Sequence, residues 1–312
     1  MRAGEGRLTE RHSAEVDRTL RTREGRQIGF ATFGDPEGVP VFYFHGLGSS
    51  RLEGALAHPV GLQRNVCLVA IDRPGYGLTD ARPGHRIPDV VDDVVAVADA
   101  LGLEHFSLVS VSTGGPFALA TAARLSERVR ALGLISSPAP YSERSGLLGM
   151  DIRSRAILVW LPRYAPWLLG PIWNRLAALS DSDPAGFVRL IADTLPSSER
   201  RAITSPEVAE VMMNASYEAF RSGTGGVVAE QRLLARDWGF AMSGVKAPVW
   251  IWHGEEDGAS PIAMAHWLVA ALPKCQAQLL PGRGAIVAGD VLPFAIATLV
   301  DYWNANAPAR GA

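Results

Sequence analysis

Apolar positions along this chain recur in two periods that alternate with one another. Short runs dense in β-branched and aromatic residues, such as Val39 to Phe44, Val66 to Ile71 and Phe106 to Val111, are set off by turn formers such as Gly38, Asn65 and Asp72. Runs of that length and composition predict strands buried on both faces. Strands are expected at about residues 17–22, 26–33, 40–44, 66–71, 106–111, 130–136, 247–253 and 275–280. Helical spacing falls between them. From Ile87 to Leu101 the apolar residues Val90, Val94, Ala98 and Leu101 lie four and three apart, with Pro88 in the first turn and Gly102 past the end. Such alternation predicts an α/β architecture, a mostly parallel eight-stranded sheet with helices on both faces.

The alternation stops between Ser137 and about Gly239, where helical segments are broken at Pro162, Pro166, Pro171, Pro184 and Pro196. This predicts a helical cap at 138–239, inserted into a core made of 17–137 and 240–312, with an N-terminal tail at 1–16. The cap carries Trp160, Trp167, Trp173 and Trp238 with Met212, Met213, Tyr217 and Phe220, more apolar surface than a small helical insert hides within itself. Most of these side chains are expected to seat the cap on the core, and the rest to roof an apolar pocket. Gly223-Thr224-Gly225-Gly226 reads as a loop between cap helices.

Composition narrows the classes. A formal charge of -2 and a pI near 6.4 give no basic footprint, so nucleic acid is not an expected partner. The apolar runs fall well short of the roughly 18 residues that cross a bilayer, and no membrane partner is expected. Residues 1–23 lack the apolar stretch of a signal peptide, and Cys67 and Cys275 form no disulfide framework, which points to a cytoplasmic setting. There is no phosphate loop, dinucleotide fingerprint or metal-ligand cluster, so no cofactor and no metal are expected. The expected partner is a small apolar substrate, for a monomer or homodimer.

Three segments carry chemistry. An apolar strand runs into Ser110-Val111-Ser112-Thr113-Gly114 and then a helical Phe117 to Arg124, the strand-turn-helix context that holds a serine hydroxyl above a sheet. The usual G-x-S-x-G has Ser110 in place of its first glycine, a residue small enough for the same close approach. The turn His45-Gly46-Leu47-Gly48 can present the N–H of Leu47, and Thr113 follows the serine, so these two amides are the candidate donors to an oxyanion. Asp257 ends a strand in Gly254-Glu255-Glu256-Asp257, where a carboxylate can orient an imidazole; Glu255 and Glu256 compete for that role. Ser260 and Pro261 then read as a helix start with Ser260 as its cap.

With His45 to Arg51 (HGLGSSR), Asp72 to Gly77 (DRPGYG) and Ser110 to Pro116 (SVSTGGP), the chain resembles the α/β-hydrolase superfamily, in particular small actinobacterial-type serine hydrolases with a helical cap. The resemblance spans about residues 17–306 and is weak in the cap. It implies the α/β-hydrolase fold, with Ser112 as nucleophile, Asp257 as acid and an L-P-G-x-G-H segment as the source of the base. Leu280 to Ala285 (LPGRGA) matches that segment up to its last residue, so Ala285 occupies the slot of the missing histidine. Either a histidine has been removed there or the chain has moved away from hydrolysis. Of the seven histidines, His45 comes nearest to replacing it, although its ring is expected to support its own turn.

Three functions compete on these residues. The first is a serine hydrolase of esters or lactones whose base is absent. The second is a non-hydrolytic enzyme using the same pocket for cyclisation, elimination or isomerisation. The third is a ligand-binding pseudo-hydrolase in which Ser112 is a relic.

Overall fold

The computed structural model describes residues 14–193, 200–201, 203–285 and 291–306. Eight strands form one sheet in the order β1-β2-β4-β3-β5-β6-β7-β8. They are β1 Glu15–Arg21, β2 Gln27–Gly34, β3 Val39–Phe44, β4 Val66–Ile71, β5 Phe106–Val111, β6 Val129–Ile135, β7 Val249–Gly254 and β8 Cys275–Leu280. The pairs β1/β2 and β2/β4 are antiparallel and the remaining pairs parallel, the mostly parallel sheet expected. The tail ends earlier than its expected boundary at 16, because Glu15 already pairs with Thr32; a register shift between Glu15 and Arg18 blurs the period-two signal there.

Alternation along the strands splits the core between the two faces of the sheet. Phe42, Phe44, Val69, Ile71 and Leu108 face one way, toward α2 (Val91–Ala100), α3 (Gly115–Arg124) and α8 (Ile262–Ala271). Val41, Tyr43, Leu68, Ala70 and Val109 face the other, toward α1 (His58–Arg64) and α9 (Val291–Ala305). Each fully buried large side chain contributes about 1.5–3 kcal/mol. The helix expected over 87–101 opens with a 3-10 turn, Ile87–Val90, before α2. The helix expected to be capped by Ser260 instead starts after Pro261, since Ser260 spends its N–H on Asp257 and its carbonyl on His253.

Between β6 and β7 a turn-rich stretch over 136–151 leads into a series of helical segments. Short segments over Ile152–Ser154, Arg155–Trp160, Leu161–Tyr164 and Pro166–Leu168 lead into α4 (Leu169–Ser182), α5 (Pro184–Ala192), α6 (Pro206–Ala219) and α7 (Gly225–Leu234). The expected glycine loop is cut short, because Gly225 and Gly226 open α7. A Cβ on Gly226 would lie 2.4 Å from the Gly75 carbonyl, so this glycine lets α7 dock backbone to backbone on the core. The cap's aromatic residues divide. Trp173 and Trp238 are buried, whereas Trp160 and Trp167 are exposed.

Candidate active site

The carboxyl ends of β3, β5, β7 and β8 gather the candidate residues on one edge of the sheet. β5 ends at Val111, a single 3-10 turn covers Ser112–Gly114, and α3 follows at once. Ser112 adopts φ +50°, a left-handed conformation that costs a serine about 1 kcal/mol and persists only where its surroundings impose it. Those surroundings include Gly114, where a Cβ would lie 2.4 Å from the Phe44 carbonyl of β3. Ser110 fits the place of the usual glycine, but its buried hydroxyl has no hydrogen-bond partner. The Ser112 side chain is half-exposed, and among the described residues its hydroxyl makes no hydrogen bond.

Beside it runs the His45–Gly48 turn, with the Cβ direction of Gly46 ending 3.8 Å from the Cβ of Ser112. A buried polar network holds this turn. The His45 and Gly46 carbonyls accept from the Arg73 guanidinium at 2.5 and 3.1 Å, and the Gly46 N–H donates to Glu53 at 2.9 Å. Arg73 in turn donates to both carboxylate oxygens of Glu230, at 2.7 and 2.9 Å, and the Thr113 hydroxyl donates to the same carboxylate at 2.9 Å. Glu230 lies on cap helix α7, so the cap itself braces the corner where the Gly46 turn approaches Ser112. The N–H of Leu47 makes no backbone hydrogen bond among the described residues, and that of Thr113 lies in the first turn of its helix, where amides have no intrahelical acceptor.

Asp257 is 4 % exposed while Glu255 and Glu256 point into solvent, which separates the three competing carboxylates. One Asp257 oxygen accepts from the N–H groups of Ala259 and Ser260, at 2.9 and 2.8 Å. The acid loop is stitched to the loop after β8: Glu255 N–H donates to the Leu280 carbonyl and Glu256 N–H to that of Arg283. Ala285 therefore stands next to the acid loop. It is half-buried against cap residues Val188, Ala192, Ile203 and Met212, so an apolar contact fills the slot.

The described histidines are otherwise engaged or distant. His45 bonds the Gly46 carbonyl through Nδ1 and accepts from the Arg73 N–H through Nε2; burial and then the Arg73 cation hold its pKa well below the usual range. His253 donates to the Ser260 carbonyl on the sheet face opposite Trp252, which packs on Phe294 of α9. His58 accepts from Gly34 N–H, His85 bonds the Arg82 carbonyl, His105 precedes β5 at the far end of the sheet, and His266 lies exposed on α8. His12 lies outside the described residues.

Sequence reasoning missed three buried groups. Glu53 faces the same Gly46 position as Ser112, and burial raises its pKa. Tyr141 is buried without a hydrogen-bond partner for its hydroxyl; burial, then the carboxylates of Asp257 and Glu230, raise its pKa and keep it a neutral donor. Glu230 gave no signal, since its partner Arg73 lies 157 residues away. Among the described residues no group of three or more His, Cys, Asp or Glu is placed to hold a metal ion, and no helix is long and apolar enough to cross a membrane.

This sheet, with a serine on a strained corner at its carboxyl edge, defines an α/β hydrolase. The family model for the alpha/beta hydrolase fold matches residues 39–285, and the chain belongs to that family. It is 23% identical to an uncharacterized hydrolase of Bacillus subtilis over 252 residues, 78% of this chain and 83% of that protein. Among solved structures, an esterase from Exiguobacterium antarcticum superposes with a TM-score of 0.69 at 19% identity, covering 92% of this chain and 99% of the other. The enol-lactonase from Burkholderia xenovorans gives 0.64 at 16% identity, covering 92% and 100%. At these identities the structures establish the shared fold.

Proposed function

We propose that the chain is a serine hydrolase for an ester or lactone of a medium-sized apolar substrate, lacking its base at position 285. Ser112 is the nucleophile, the N–H groups of Leu47 and Thr113 receive the oxyanion, and Asp257 is the acid that would orient an imidazole. The observation that carries this reading is the half-exposed Ser112, held at φ +50° against the Gly46 turn. An esterase and a lactonase among the structural neighbours accord with it.

With an imidazole at 285 the chemistry balances in two rounds. The ring takes the Ser112 proton as Oγ attacks the acyl carbon, and the two amides receive the developing oxyanion. Collapse expels the alcohol, which takes the proton from the ring, and water repeats the attack on the acyl-serine. With Ala285 nothing accepts the first proton, and catalysis falls to the roughly 1,000 to 10,000-fold over water that binding and oxyanion donors supply.

The test is Ala285→His, assayed on p-nitrophenyl butyrate. Turnover should rise by at least about a hundredfold, and Ser112→Ala in the same background should abolish the gain. An unchanged rate in a folded Ala285→His protein would overturn the reading. A second reading, a non-hydrolytic enzyme or ligand-binding protein, is favoured by the apolar packing around Ala285. A product of unchanged mass, or tight ligand binding unaffected by Ser112→Ala, would support it.

A further inference from the structure

The outer side of the cap departs from the rest of the surface. Among the described residues thirteen large hydrophobic side chains are exposed, and eight of them fall between Leu148 and Ile172. The largest are aromatic: Trp167 is 70% exposed, Tyr164 69% and Trp160 44%. They sit on consecutive short helical segments. Trp173 of the same stretch points inward and is buried, hence the outward residues are not a misplaced core.

Charge on this stretch is as lopsided as its hydrophobicity. From residue 144 to 180 there are five arginines, Arg144, Arg153, Arg155, Arg163 and Arg175, and one acid, Asp151, in a chain whose formal charge is -2. Asp151 is occupied as a helix cap, accepting from the N–H groups of Arg153 and Ser154. Arg144, Arg153, Arg163 and Arg175 are exposed, and none forms an ion pair among the described residues. Unpaired arginines interleaved with exposed Trp, Tyr, Leu and Ile match an interface whose outer layer is anionic and whose inner layer is hydrocarbon. A second copy of the chain fits poorly, because a two-fold contact sets the same unpaired arginines against each other.

We propose that residues 144–175 of the cap dock on the surface of an anionic lipid bilayer, the aromatic side chains entering the headgroup layer and the arginines meeting lipid phosphates. The contact is peripheral and needs no spanning helix. It departs from the sequence expectation of no membrane partner, which rested on run length alone, and it stands whether or not Ser112 turns over a substrate.

The experiment is co-sedimentation of the full chain with vesicles of equal parts phosphatidylglycerol and phosphatidylcholine, against phosphatidylcholine alone. Binding to the anionic vesicles should be at least tenfold tighter and weaken with added salt. Arg153→Gln with Arg163→Gln should weaken it about 25-fold, at about fivefold for each charge removed. Trp160→Ser with Trp167→Ser should abolish it, while Tyr217→Ser with Phe294→Ser, equally exposed elsewhere, should leave it unchanged. Thermal melts establish that each variant is folded. Equal binding to both vesicles, no binding, or a lipid-free dimer that the tryptophan variant dissociates would overturn the proposal.

Discussion

The two halves of the candidate site are built from different materials. Around Ser112 the elbow and the His45–Gly48 turn are fixed by charge, with Arg73 gripping two backbone carbonyls and Glu230 gripping both Arg73 and Thr113. Around position 285 the backbone is tied to the acid loop, but the side chain is a methyl group packed on the cap. One half is thus held by buried charged side chains around the elbow. The other has been closed with apolar contact.

The largest test of this contrast is Glu230→Ala, which leaves Arg73 buried without its carboxylate. It should cost about 3–5 kcal/mol in urea unfolding. A loss below about 1 kcal/mol would mean that the elbow half is not held by charge after all. On the other half, Ala285→His forces an imidazole against Met212 and Val188 and should cost about 1–3 kcal/mol while raising ester turnover. Stability and activity moving in opposite directions would set the two halves further apart, and an unchanged midpoint would show position 285 to be roomier than its contacts suggest. Smaller again, Ser112→Gly should stabilise the fold by about 1 kcal/mol, because glycine adopts the left-handed conformation without strain.

The smallest effect concerns pH. Burial holds the His253 imidazole below its usual range, so it is neutral in the fold. In the unfolded chain it titrates near about 6.5, and below that pH the unfolded state takes up a proton the folded state refuses. Stability therefore falls on acidification. Between pH 7 and 5.5 the His253→Gln protein should lose about 1 kcal/mol less than its parent in urea midpoints. An equal loss would place the acid sensitivity elsewhere, with His45 the next candidate.

The central strands were legible because β3, β4 and β5 are short, mostly apolar runs bounded by turn residues, a purely local signal. The strand-turn-helix at Ser112 was legible for the same reason, and so was the acidic loop after β7, though which of Glu255, Glu256 and Asp257 is buried was not. The brace was not. Arg73 and Glu230 meet only because α7 docks backbone to backbone at Gly226, and no periodicity reports a contact between residues so far apart in the chain. Trp160 and Trp167 misled differently: large apolar residues are read as core, and only the fold shows which side of a short helix faces out.

Whether Ser112 is a nucleophile needing only a base at 285 is decided by intact mass after exposing the Ala285→His protein to a p-nitrophenyl phosphonate ester. A single phosphonyl adduct on Ser112, formed at least about a hundredfold faster than in the parent and absent from the Ser112→Ala version, is the predicted result. No adduct, or one on another residue, would contradict it.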